Sequence, residues 1–302
     1  MGVVDTAAFA RSLVPVAPHW FGLGYSQFDP IFKQFYKVKS SNVAVEEDML
    51  MKGTGLFRAV AEGGNTPYAS MSQVRSQQYR HTSYRLGIII TSDAIEDLKA
   101  PALAQSRMTA LGASWAETQN IVCHSIVNLA TDSGTTYADG KSLAATDHPT
   151  SAGNQSNMLT VGAPMSESCL EQICINVLAF QNEVGIKINA RPNKLVVPTA
   201  LEYETHRILK SDARVGTADN DLNALKSLGR FPGGVIVSPY ITDAAHFFCT
   251  TTEDQQGLTM FVRKELTFSD DTAFESDNAK FKAHARFAVG VTDWRSYYDN
   301  NL

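Results

Sequence analysis

No stretch of the chain approaches the roughly 18 consecutive apolar residues of a membrane span. Met1 to Arg11 also lacks a basic segment followed by an apolar one. A soluble chain with no membrane partner and no secretory leader is therefore expected. Cysteine is scarce. Cys123, Cys169, Cys174 and Cys249 show no CxxC spacing and sit mostly among apolar neighbours, so they read as reduced core thiols rather than a disulfide framework or a zinc site. A strong charge of either sign is missing too. The 26 basic and 31 acidic side chains leave −5, and only 19% of residues are charged against 44% hydrophobic. That composition excludes a disordered chain and argues against a basic nucleic-acid binder.

Catalytic signatures are equally sparse. There is no G-x-S-x-G, no GxxxxGK[ST], no GxGxxG after a strand and no HExxH. Asp132-Ser133-Gly134-Thr135 spells the aspartic-protease motif, in which two aspartates share a proton to activate water. It occurs once, follows a predicted helix and lacks the hydrophobic strand that should precede it. It reads as the end of that helix, with a protease using Asp132 as the remote alternative. His148, in Asp147-His148-Pro149, and His246, beside Phe247, read as turn and core residues. No catalytic residue, metal or cofactor is nominated, and no enzyme is expected.

What is present is an ordered succession of segments. Within the first forty positions Phe9, Leu13, Trp20, Phe21, Tyr25, Phe28, Phe32, Phe35 and Tyr36, interrupted by Pro15, Pro18 and Pro30, follow neither helical nor strand spacing. Such a segment must lie along something else, its own body or a neighbour. A strand-like stretch from Phe35 to Val45 ends in Glu46, Glu47 and Asp48, before Gly53 and Gly55 break it. From Gly63 to Ser92 there is no acid and no lysine, only Arg75, Arg80, Arg85 and His81 as basic groups. Met71 to Tyr79 is polar on both faces, a ribbon with no face to bury in a core of its own.

Those arginines have three readings: phosphate contacts, a solvated hairpin, or the acidic surface of a protein neighbour, of which the last is preferred. Their acids must come from elsewhere. Candidates are Glu46, Glu47 and Asp48 of the arm and Asp93, Glu96 and Asp97 after Ser92. At roughly 3.3 Å per residue Arg75 and Arg85 are up to about 33 Å apart, too far for one acidic cluster, so at least one is expected to reach another subunit.

Tyr84 to Ile90 is an apolar strand. Ser92 offers a helix cap, Pro101 interrupts, and a helix about 45 Å long then runs to Ala130 on Met108, Leu111, Trp115, Val122, Ile126 and Leu129. The polar tract Asp132 to Asn157 is a loop or a pair of short strands. After Ser166, a cap reinforced by a box at Ser168 and Glu171, a helix uses Leu170, Ile173, Val177 and Val184. Strands follow at Lys194 to Val197, Gly233 to Val237 and His246 to Thr251, with a helix at Thr199 to Leu209. Alternation marks long strands at Leu258 to Phe268 and Phe281 to Trp294, the latter placing Phe281, Ala283, Ala285, Phe287, Val289 and Val291 on one face. The fold class is α+β.

This order resembles the major capsid protein of tailed bacteriophages, the Hong Kong 97-like fold, and within it the Mu-like major head subunit group. The passage "YRLGIIITSDAIEDL" (84–98) is similar to the family's entry into its spine helix. "YADGKSLAATDHP" (137–149) resembles its "DGk-LF-t-HP" stretch, and "RPNKLVVPTALEYETHRIL" (191–209) looks like the entry to its axial domain.

The resemblance implies an N-terminal arm at 1–50, an extended loop (β-hairpin) at 51–90, and a peripheral domain with the spine helix at 91–164. An axial α/β domain at 165–251 and peripheral returning strands at 252–302 complete the chain. It implies a head protein that self-assembles into pentamers and hexamers of an icosahedral shell around double-stranded phage DNA, without sequence-specific binding. Expected partners are the chain itself, a separate scaffolding protein, a portal and cement proteins, in a virion assembled in the host cytoplasm. Arg75, Arg80, Arg85, Glu46, Glu47, Asp48, Trp20 and Phe21 are the candidate inter-subunit contacts. An encapsulin-like shell is the alternative within the fold. Two departures from the type member stand out. Gly55 to Ile90 holds no lysine, so a loop isopeptide cross-link has no donor there, and a scaffold separate from the chain, rather than a charged helical region fused ahead of the arm, is expected.

Overall fold

The computed structural model describes residues 17–28, 30–69, 72–91, 100–213, 221–253, 255–272 and 278–302. Expectations resting on Phe9, Leu13, Ser92, Asp93, Glu96 and Asp97 lie outside these residues. Helix and sheet are mixed, as the α+β reading requires. Two four-stranded sheets carry the body. The first runs β1 (Lys37–Ser40), β10 (Thr259–Thr272), β11 (Ala279–Gly290) and β4 (Thr82–Ile90), antiparallel apart from β1 on β10. The second runs β12 (Tyr297–Asp299), β9 (Phe248–Thr251), β7 (Pro192–Pro198) and β8 (Val235–Ser238), with β7 and β8 parallel. A ribbon of β2 (Val45–Met51) and β3 (Gln73–Arg80) and a hairpin of β5 (His148–Thr150) and β6 (Gly153–Gln155) stand outside both.

The predicted alternation in β11 is observed up to Phe287. Phe281, Ala283, Ala285 and Phe287 are buried while Lys280 and Lys282 are exposed. That inner face lies on the spine helix α2 (Ala100–Asn128), where Met108 packs with Phe281, Leu111 with Ala283, and the Trp115 ring meets Phe287 edge-on at 5.8 Å. Pro101 sits in the first turn of α2, where its missing N–H leaves no helical bond unmade.

Past Trp115 the buried stripe of α2 departs from the apolar spacing. Ala116, Asn120, Cys123, His124 and Val127 turn inward, whereas Val122 and Ile126 are half-buried and Leu129 is exposed. Polar groups hold this stripe. His124 Nδ1 donates to the Asn120 carbonyl at 2.7 Å and Nε2 accepts from Ser238 Oγ at 2.8 Å. Burial, partly opposed by the Asn120 hydrogen bond, keeps His124 below the usual histidine range.

The aromatic N-terminal segment lies along its own body. Part of it is α1 (Ala17–Ser26), a helix that the irregular spacing did not predict. It crosses α2 at glycine: a Cβ on Gly24 would stand 1.9 Å from the Thr109 carbonyl, and one on Gly112 would stand 2.2 Å from that of Phe21. Further on, Phe32, Phe35 and Tyr36 pack on the second half of α2, and the Tyr36 hydroxyl donates to the Cys123 carbonyl at 2.8 Å.

The second sheet is covered on both faces. Leu195 and Val197 face α3 (Glu167–Leu178) with Leu170, Ile173 and Val177, and the intervening Val196 faces Cys123, Val127 and Phe248. The box at Ser168 does not form. Ser166, in extended geometry, is the cap, accepting from the Cys169 amide at 3.2 Å, and Ser168 lies inside the first turn. The strand β12 also departs from expectation, because residues 297–299 pair with β9 of the second sheet instead of returning to the first. All four cysteines are free and buried, and burial pushes the Cys169 and Cys174 thiols up to about 11.

Phe287 is 1% exposed and stacks on Tyr84 at 4.5 Å, whereas Trp115 borders a groove. Phe287→Ala is expected to cost about 3–5 kcal/mol and Trp115→Ala less. Urea unfolding of the two variants checks the order, and a larger loss at Trp115 would place the tighter packing there.

Candidate functional site

The alternation of β3 sends Arg75 and Tyr79 to one side and Ser76, Gln78 and Arg80 to the other. The ribbon therefore has one rooted face, contrary to the expectation of none. Tyr79 is 2% exposed against Phe261, and its ring closes on Gly290, where a Cβ would stand 2.5 Å from Tyr79 Cε1. Its hydroxyl bonds Thr292 Oγ1 at 2.5 Å, and Thr292 donates to Asp48 Oδ2 at 3.0 Å. Gln256 Nε2 donates to the other Asp48 oxygen at 2.8 Å. Asp48 thus fastens the ribbon to its own subunit and is not available as a partner for a loop arginine.

Arg75 finds its acids in a third place, neither the arm nor the start of the spine helix. Its guanidinium lies 3.5 Å from Glu183 Oε2 and 3.8 Å from Asp139 Oδ2, and donates to the Pro149 carbonyl. Arg295 holds the other oxygen of Glu183 at 2.9 Å, Asp293 Oδ1 at 3.2 Å and the Gln181 carbonyl at 2.8 Å. The side chains of Arg75, Asp139, Glu183 and Arg295 are each at most 8% exposed.

The motif that resembled "DGk-LF-t-HP" supplies the centre of this junction. Gly140, at φ 75°, turns the chain so that Asp139 Oδ1 accepts from the Lys141 amide at 3.1 Å. Oδ2 is left for His148 Nδ1 at 2.5 Å. His148 Nε2 meets Asn157 Oδ1 at 2.9 Å, and the Asn157 amide nitrogen is committed to the Leu143 and Trp294 carbonyls. Both ring nitrogens are therefore engaged by side-chain oxygens. The ring also stacks on Trp294 at 4.5 Å. Burial alone would raise Asp139, but the His148 hydrogen bond and charge, the Lys141 amide and Arg75 hold its carboxyl below the usual range.

The remaining candidates divide. Phe21 is buried among Leu111, Ala283 and Phe268, and Trp20 packs on the cluster of Ala104, Met108 and Phe281, so both are occupied within the chain. Arg80, Arg85 and Glu47 are exposed and Glu46 is half-buried, and none has an ion-pair partner among the described residues. His246 is a core residue, bonded at 2.8 Å to the fully buried Asp299, which also accepts from the Tyr297 hydroxyl. Asp132 ends an exposed turn with its oxygens on the Gly134 amide and the Thr135 hydroxyl. Between Lys52 and Ala69 the chain is irregular and exposed, with Phe57 fully open, Tyr68 95% and Leu56 75% exposed.

The phage capsid protein family matches residues 75–300. The chain belongs to that family. In this capsid protein the match begins at Arg75, so both arginines of the junction fall inside it. The fold is shared with solved shells at low identity. A virus-like particle from Pyrococcus furiosus is 11% identical with a TM-score of 0.56, over 94% of this chain and 97% of that one. The Microbacterium phage Oxtober96 structure is 9% identical with a TM-score of 0.55, over 89% and 90%. The capsid of an empty GTA particle is 13% identical with a TM-score of 0.53, over 90% and 89%. No curated protein sequence matches the chain. The capsid protein is a major shell subunit of the Hong Kong 97-like fold, located in the virion, and it self-assembles. Neither the encapsulin-like shell nor the protease is favoured.

Breaking the shared pair is expected to be severe. Glu183→Gln removes the carboxylate that two buried arginines share, leaving each one acid, and should cost about 3 kcal/mol in chemical unfolding; a loss below about 1 kcal/mol would mean that the junction is solvated. Asp139 gives a pH signature. A depressed carboxyl contributes stability fully above its unfolded value near about pH 4 and loses it as pH falls through the lower folded value. Asp139→Asn should accordingly be less stable at neutral pH and show a flatter acid limb. Parallel stability curves would remove Asp139 from the acid response.

Proposed function

We propose that this capsid protein closes into pentamers and hexamers of an icosahedral head around double-stranded DNA, assembling in the host cytoplasm on a separate scaffolding protein, with a portal and cement proteins as further partners. The observation that carries this is the ribbon. One face is rooted by Arg75, Tyr79 and Asp48, and beyond it a long irregular loop exposes Leu56, Phe57 and Tyr68, which none of the described residues covers. Obligate interfaces commonly bury about 2,000–5,000 Å². A projecting loop that meets a different surface on the next copy makes a heterologous contact, the kind that closes into rings.

With no lysine between Gly55 and Ile90, the contact is non-covalent on the loop side. The wording of the 137–149 and 191–209 segments supports placing the chain in the Mu-like group. DNA would be held by enclosure rather than by sequence, in keeping with a net charge of −5. Co-expressed with its scaffold, the chain should sediment as megadalton shells or as capsomers and appear as closed particles by electron microscopy. A stable, monodisperse 33 kDa monomer with an ordered loop would overturn the proposal.

A further inference from the structure

The face of the first sheet turned away from the spine helix has an unusual charge. With Phe281, Ala283, Ala285 and Phe287 inward, β11 presents Lys280, Lys282, His284 and Arg286 outward. The register sets Arg85 of β4 opposite His284 and Lys264 of β10 opposite Arg286. Lys264 Nζ donates to His284 Nδ1 at 3.3 Å, a contact that only the neutral ring accepts. Desolvation and the charges of Lys264, Arg85, Arg286 and Lys282 all lower the His284 pKa.

No ion pair of the described residues engages Arg85, Lys264, Lys280, Lys282 or Arg286, and the donors His284 Nε2 and Arg286 Nε are buried without a partner. The acids nearby do not compensate. Glu46 acts electrostatically on His81, Glu265 stands at the bulge of β10, and Asp271 opposes Lys280 at the far end and is itself engaged. Like charges on facing strands destabilise a sheet, and orphaned buried donors cost more than exposed ones. The isolated subunit thus carries a face that an incoming anion would stabilise.

We propose that this basic face is the seat for the carboxylate of Glu47, and the β2 face around it, from a second copy of the chain. The inference rests on the shell reading and assigns one of its contacts. The complementarity is on both sides. The outward face of β2 reads Val45, Glu47, Met49 and Met51, all exposed, with Glu47 unpaired among the described residues. The sheet offers exposed Ile89 beside its row of cations. Glu47 points away from the rooted side of its own ribbon and shares that outward face with Arg80, with which it makes no ion pair. Packaged nucleic acid is the competing occupant, and the experiment separates the two.

Shells assembled with scaffold from a mixture of ¹⁵N-labelled and unlabelled wild-type chain are treated with a zero-length carbodiimide and digested for mass spectrometry. Lys264 or Lys282 joined to Glu47 in heavy–light pairs is the expected result. Closed particles whose links to Glu47 are absent or confined to one isotope would overturn the seat while leaving the shell reading intact. Absence of particles in the microscope would overturn both. As a second arm, Lys282→Glu should lower shell yield about tenfold at low salt, and adding Glu47→Lys should restore it. A Lys264→Gln, Lys282→Gln variant that forms normal shells holding less DNA would overturn the seat in favour of nucleic acid.

Discussion

Glu183 is claimed by two arginines that reach it from opposite ends of the chain, Arg75 from the ribbon and Arg295 from the segment before the last strand. Removing these charges from water costs several kcal/mol each, and their attraction offsets that only if every lone pair and proton is used. Much of that requirement is met by the surroundings. Asp139 divides its oxygens between the Gly140 turn and His148, His148 passes on to Asn157, and Asn157 spans the backbone of Leu143, Ala145 and Trp294. A network so complete has one geometry, and it fixes where the ribbon leaves the body, where the polar tract folds and where the chain end crosses to the second sheet.

This arrangement separates folding from assembly within one ribbon. The rooted face holds Arg75, Tyr79 and Asp48 in the dry interior, while the opposite face and the loop beyond it carry Glu47, Arg80 and exposed apolar groups. Contacts on the first set decide whether the subunit folds. Those on the second contribute little until another copy arrives, because exposed pairs add only about 0.2–1 kcal/mol and an uncovered aromatic ring adds nothing. A capsid subunit needs that division, since a loop satisfied by its own chain would have no reason to cross to the next.

Much of the fold was legible because element type is a local property. The strands β10 and β11 announced themselves by alternation, and the first half of α2 by the spacing of Met108, Leu111 and Trp115. The second half misled for a physical reason. Its buried stripe includes Asn120 and His124, whose polarity is satisfied by Phe32 and Ser238, and no apolar spacing anticipates a hydrogen bond to a distant segment. The helix α1 was missed because its packing face is Ala17, Phe21 and Gly24. Small residues there signal close approach to another backbone, not a hydrophobic stripe.

By itself the sequence determined that the chain is α+β, that it has a long central helix, and that the stretch around Arg75, Arg80 and Arg85 must find its acids elsewhere. It also determined, through the 84–98, 137–149 and 191–209 segments, which family the chain resembles. Only the tertiary structure decided that Arg75 pairs with Asp139 and Glu183, that Asp48, Trp20 and Phe21 make contacts within the subunit, and that Arg85 joins a row of cations with no ion pair among the described residues. Periodicity records how each residue relates to its neighbours along the chain. Charge pairing depends on which distant segments meet, and a carboxylate carries no mark of the arginine that will reach it.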